Sequence, residues 1–86
     1  MKFSKQTVAR QIEAYLRHEL TLPKLVDWAE NALMEAEFEP QDAALLAQVV
    51  GRLGVADVRA FGLAWEDCEE LLHDLGYAAR VEVVAA

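Results

Sequence analysis

Cysteine is nearly absent: Cys68 is the only one in a chain of 86 residues, so no intrachain disulfide can form and a reducing, cytoplasmic setting is expected. Long apolar runs are missing as well. Nothing approaches the ~18 uninterrupted apolar residues of a membrane span, and the opening MKFSKQTVARQIEAY carries charges where a signal peptide requires an apolar stretch. The chain is therefore expected to stay where it is made, without a membrane partner. Basic side chains are few. Residues 1–26 hold five against two acids, residues 27–86 hold three against thirteen, and the formal charge is −7. A body this acidic repels phosphate, which argues against direct nucleic-acid binding and favours basic protein partners. Catalytic groups are equally scarce: there is one serine, and no Gly-rich strand-to-helix turn that would hold a nucleophile or a phosphate. The expectation is a protein that is not an enzyme and needs no cofactor.

What the sequence does contain is helical periodicity. Hydrophobic residues make up 55%, and only four Gly and two Pro interrupt them, so the chain should fold rather than remain disordered. At this length it is one domain, burying only roughly 60–65% of the surface its unfolded form exposes, and a dimer partner would add to a thin stability margin. Ser4 or Thr7 can cap a first helix reaching about His18, with Val8, Ile12, Tyr15 and Leu16 as its apolar stripe and Arg10, Glu13 and Arg17 facing away. Thr21 caps the second, with Pro23 in its first turn. That second helix, Leu22–Glu37, organises the rest. Leu25, Trp28, Ala29, Ala32, Leu33 and Ala36 fall on its core arc, whereas Asp27, Glu30, Asn31, Glu35 and Glu37 surround Met34 on the opposite one.

Pro40 restarts a third helix running to Leu53, whose wide arc of Leu45, Leu46, Val49, Val50 and Leu53 implies a central position, with Gly54 as its left-handed stop. A short helical turn over 55–61 should point Val58 and Phe61 inward and stop at Gly62. The fourth helix starts at Ala64, an unusual cap, and runs through Trp65, Cys68, Leu71, Leu72 and Leu75 to Gly76. Cys68 on that stripe reads as a buried thiol used as a small hydrophobe. In the ending YAARVEVVAA, Val81, Glu82 and Val83 alternate like a strand, yet one strand cannot form a sheet alone. The predicted fold is all-α: a small single-domain bundle of four helices plus a short helical turn over residues 1–79. Residues 80–86 form a C-terminal extension or short strand, able to join two copies into a homodimer through Val81, Val83 and Val84.

Several patterns imitate known sites. Glu70 and His73 have the Glu-x-x-His spacing of di-iron bundles, which require two such motifs and two further glutamates; a dimer would have to supply the rest. Cys68 and His73 stand about 140° apart around the helix and do not share a face as zinc ligands do. Glu35, Glu37 and Glu39 resemble the alternation of a calcium loop, but Pro40 and Leu46 occupy the positions that need Gly and an acid. Gly51 and Gly54 have GxxG spacing, without the strands or the charge of an RNA-clamping loop. What remains is the outer face of the second helix. There Asp27, Glu30, Asn31, Met34, Glu35 and Glu37 would give a flexible apolar contact inside an acidic rim, suited to a basic partner.

The stretch LTLPKLVDWAE from Leu20 to Glu30, and more clearly ADVRAFGLAWEDC from Ala56 to Cys68 with Leu75-Gly76-Tyr77, resembles a group of short bacterial proteins with no assigned function. Size, acidity and helical make-up are similar to those of bacteriocin immunity proteins and antitoxins. The functional expectation is a non-enzymatic acidic protein-interaction module, possible pathways being open, in an immunity- or antitoxin-like form; the alternative is a small dimeric metal-binding protein using Glu70 and His73.

Overall fold

The computed structural model describes residues 2–58 and 62–85. These form a small, mostly α-helical domain in the order β1 (Lys2–Phe3), α1 (Lys5–Leu16), α2 (Leu22–Glu35), β2 (Glu37–Phe38), a 3-10 turn (Pro40–Asp42), α3 (Ala43–Gly54) and α4 (Trp65–Asp74). The four helices are the predicted ones; the two strands are not. One core takes side chains from every helix, including Val8 and Ile12 of α1, Leu25 and Ala29 of α2, Leu46 and Val50 of α3, and Cys68 and Leu71 of α4. Among the described residues no helix is long and apolar enough to cross a membrane.

Helix α1 begins where Ser4 and Thr7 cap it together. The Thr7 amide donates to Ser4 Oγ at 3.3 Å and the Ser4 amide donates to Thr7 Oγ1 at 3.2 Å, a capping box in which threonine takes the role usual for Glu or Gln. It ends at Leu16, before His18. The His18 amide returns to the Tyr15 carbonyl and the Glu19 amide to that of Ala14, the paired bonds of a Schellman motif, and His18 sits at φ 63° in its left-handed position. A side chain there carries a conformational cost that glycine does not. His18→Gly is therefore expected to stabilise the protein by about 1 kcal/mol, read as a rise in Tm of roughly 4–8 °C for a domain of this size. An unchanged or lowered Tm would mean that the imidazole makes a compensating contact.

Helix α2 starts at the expected cap, the Lys24 amide donating to Thr21 Oγ1 at 3.4 Å. It stops at Glu35, and Ala36 turns extended with ψ 147°, so Glu37 lies outside the helix predicted to contain it. The reason is a tertiary pairing. Strand β2 runs parallel to β1 in the register Lys2 to Glu37 and Phe3 to Phe38, and the Glu39 amide donates to the Phe3 carbonyl at 3.0 Å. Phe3 then stacks on Trp28, with ring centroids 5.5 Å apart and planes 3° from parallel, and meets Phe38 edge-on at 6.5 Å. Trp28 is half-buried beneath the N-terminal strand rather than sunk in the core.

Val26, absent from the predicted arc, is buried, whereas Leu33 is 47% exposed. The wheel angle of Leu33 is suitable, but the helix facing it is running out. A β-carbon placed on Gly54 would lie 3.7 Å from Leu33 Cδ1; the missing side chain at the end of α3 leaves that leucine uncovered. Nor is Gly54 the left-handed stop that its position suggests. It is the last helical residue, followed by Val55 at φ −109°, and the left-handed glycines of the described residues are Gly62 and Gly76. In the turn after α3, Ala56 is buried and Val58 is 46% exposed, the reverse of the expected inward valine. Phe61, also expected inward, lies outside the described residues.

The cap of α4 is explained by its third residue. Ala64 offers no acceptor, but its own amide donates to Asp67 Oδ2 at 2.8 Å. Arg52 of α3 reaches the same carboxylate oxygen at 3.6 Å and donates from Nη1 to the Gly62 carbonyl at 3.0 Å. One arginine thus ties the end of α3 to the start of α4. Helix α4 closes in a second Schellman motif, this time with Gly76 at φ 92°: the Gly76 amide donates to His73 and that of Tyr77 to Leu72. Beyond it, residues 77–85 carry no regular secondary structure. Within one chain Val81 to Val83 are therefore an extension, since no second strand lies beside them among the described residues. Val81, Val83 and Val84 are exposed at 68, 94 and 77%.

Candidate interaction surface

The period of α2 sends Asp27, Glu30, Asn31 and Met34 to one side of the helix, and all four are exposed. Glu35 closes the helix on the same ground, and Glu37, displaced into β2, is exposed beyond it. Met34 is 75% exposed, and the half-exposed Leu33 stands beside it. The six residues that the sequence pointed to therefore reach solvent, four from one helical stripe and two from the helix end and the strand after it. Leu33 joins them, having been assigned to the core. Next to it are the side chain of Glu30 and the backbone of Gly54, and the exposed Val55 follows Gly54 in the chain.

The electrostatics of this face come from what its acids lack. Four other carboxylates of the protein are engaged: Asp42 lies 3.5 Å from Lys5 Nζ, Glu13 is 3.4 Å from Arg17, Glu39 accepts from the Gln41 side chain at 2.6 Å, and Asp67 is held by Arg52 and the Ala64 amide. The acids on the outer face of α4 are as open as those of α2 but surround no exposed large apolar side chain among the described residues. Asp27, Glu30, Glu35 and Glu37 have no hydrogen bond or ion pair from their side chains among the described residues. Four uncompensated negative charges thus frame two exposed apolar side chains.

Elsewhere the chemistry is structural. The hydroxyls of Ser4, Thr7 and Thr21 all serve as helix caps. Cys68 is fully buried, and burial pushes its thiol up to about 11, the neighbouring Asp67 carboxylate adding to the effect and Arg52 opposing it. A thiol in that state stays protonated at neutral pH and is a poor nucleophile. Glu70 and His73 are exposed on α4, and no group of three or more His, Cys, Asp or Glu among the described residues could hold a metal ion. A metal bound there would take its remaining ligands from another copy of the chain.

Two concavities stand out among the described residues. A small one of about 290 Å³ lies between α3 and α4, where Arg52 bridges to Asp67 beside Glu70 and Asp74. A larger one of about 610 Å³ runs between α1, the face of α4 bearing Trp65 and Leu72, and the chain after Gly76. Arg10, Arg17 and Arg80 all line it. Sequence reasoning placed Arg10 and Arg17 on the outer side of α1 but had no signal that Tyr77 to Val81 folds back against them. No family model, curated protein or solved structure matches this chain.

Proposed function

We propose that the protein is a non-enzymatic interaction module that presents the outer face of α2 to a basic protein partner. The observation that carries this reading is the set of four unpaired carboxylates, Asp27, Glu30, Glu35 and Glu37, around the exposed Leu33 and Met34. An apolar centre with an uncompensated charged rim is the layout in which buried contact supplies affinity and the rim supplies steering and partner choice. A catalytic role finds no support in the hydroxyls of Ser4, Thr7 and Thr21, each engaged at a helix start, or in the sealed thiol of Cys68. The concrete form of the proposal is a neutraliser of a basic protein, in the manner of an immunity protein or antitoxin acting in the cytoplasm.

The test compares capture of partners from the native cell by the wild type and by Glu30→Lys combined with Met34→Arg. Both positions are exposed, so the double variant keeps its helical circular dichroism. The wild type is expected to retain a basic protein, increasingly weakly as salt rises, and the variant to bind it at least about tenfold less tightly. Equal retention by the two proteins would reject this surface.

A further inference from the structure

We propose that the groove between α1, α4 and the segment after Gly76 binds a small amphipathic anion, an apolar body carrying one acidic head group. Its floor is apolar. Ala9 and Leu72 are nearly fully buried there, and Trp65 and Tyr77 contribute aromatic faces. Its polar lining is cationic against the trend of the whole chain. Three of the five arginines, Arg10, Arg17 and Arg80, meet in it, and the sole carboxylate among the lining residues, Glu13, is already held by Arg17 at 3.4 Å. Arg10 and Arg80 have no hydrogen bond or ion pair among the described residues.

In a protein of charge −7, arginines would by default settle among the abundant carboxylates. Two of them instead stand uncompensated over an apolar floor, where a low-dielectric wall concentrates their field. Guanidinium groups bind carboxylate and phosphate oxygens in paired hydrogen bonds, and an aromatic floor accepts an aliphatic or ring-bearing body. The volume of about 610 Å³ lies in the range of small-molecule sites and exceeds what a single inorganic ion needs. The ligand class that satisfies both floor and lining is therefore an organic anion. A free phosphate leaves the floor unused, and a neutral lipid leaves the arginines unpaired. This site is on different elements from the α2 face, and either proposal stands if the other fails.

The groove contains Trp65, whereas Trp28 is stacked under Phe3, so tryptophan fluorescence reports occupancy. Octanoate, octyl phosphate, 1-octanol and inorganic phosphate are the probes, titrated into the full chain and checked by calorimetry. Octanoate or octyl phosphate is expected to saturate with a Kd on the order of 0.1–1 mM, the range open to a ligand of this size. The relative affinity of the two assigns the head group. Octanol and inorganic phosphate are expected to bind at least about tenfold more weakly. Arg10→Gln with Arg80→Gln, both at exposed positions, should weaken octanoate by about tenfold. Lys2→Gln with Lys24→Gln, removing the same charge outside the groove, should leave it unchanged. Octanol binding as well as octanoate, equal loss from both double variants, or no saturation by either anion would overturn the proposal.

Discussion

Truncating Leu25 to alanine is expected to cost about 3 kcal/mol, within the usual range for a fully buried leucine, whereas Leu33→Ala, on the same apolar arc of α2, is expected to cost less than about 0.5 kcal/mol. Leu25 has no exposed surface and joins the core shared by all four helices, while Leu33 is 47% exposed. The cost at Leu25 has two parts, lost transfer of the buried atoms from water and the cavity left where the surrounding core side chains cannot fully collapse. In a domain of this size that corresponds to a fall in Tm of roughly 12–24 °C, a large share of a total stability of about 4–13 kcal/mol. Urea unfolding of the two variants and the wild type decides the matter. Similar costs would mean that Leu33 is covered as the helical wheel suggests. The same pair separates stability from recognition: Leu33→Ala should weaken partner binding while leaving the midpoint of unfolding almost unmoved.

That contrast marks where the sequence stops being informative. Features set within one turn of chain were legible: Thr21 with Pro23 at the start of α2, Gly76 at the end of α4, and Cys68 on an apolar stripe all occur as the spacing predicts. Features that depend on where a neighbouring element ends were not. Leu33 has the right angle and the wrong neighbour, because α3 presents Gly54 there. Two-residue strands hold too little sequence to signal themselves, and β1 exists because β2 lies beside it with Phe3 against Trp28 and Phe38. The alternating valines after Arg80 carried a stronger strand pattern, and within one chain they stay an extension, since no partner strand is placed next to them.

The candidate sites divide along the same line. The acidic face of α2 could be read from period alone, because all but Glu37 of its residues lie on one helix. That its acids lack partners is a tertiary fact. The arginine groove was hidden because Arg80 approaches α1 only through the turn at Gly76. His18 shows the local rules working with an unexpected residue: the Schellman bonds are complete, although nothing about a histidine announces a left-handed conformation.

Cys68 gives the second large effect, expressed as a loss of stability in alkali. Its thiol is fully buried, and desolvation raises its pKa from 9.0 to about 11, with Asp67 adding to the shift. Between those values the unfolded chain releases the thiol proton while the folded protein retains it, so rising pH draws the equilibrium toward the unfolded state. The sign follows from the raised folded value: the contribution is intact below about 9 and is lost as pH climbs toward 11. Two pH units at about 1.4 kcal/mol each give a loss of about 3 kcal/mol across the window. Other groups that ionise there are common to wild type and Cys68→Ala, and they cancel in the difference between the two proteins. At neutral pH the wild type should be the more stable by about 1–2 kcal/mol, the worth of filling a small buried site. Near pH 10.5 that advantage should have vanished or reversed. A stability difference that stays constant from pH 8 to 10.5 would show that the thiol can ionise inside the fold, and hence that water reaches the core between α1 and α4.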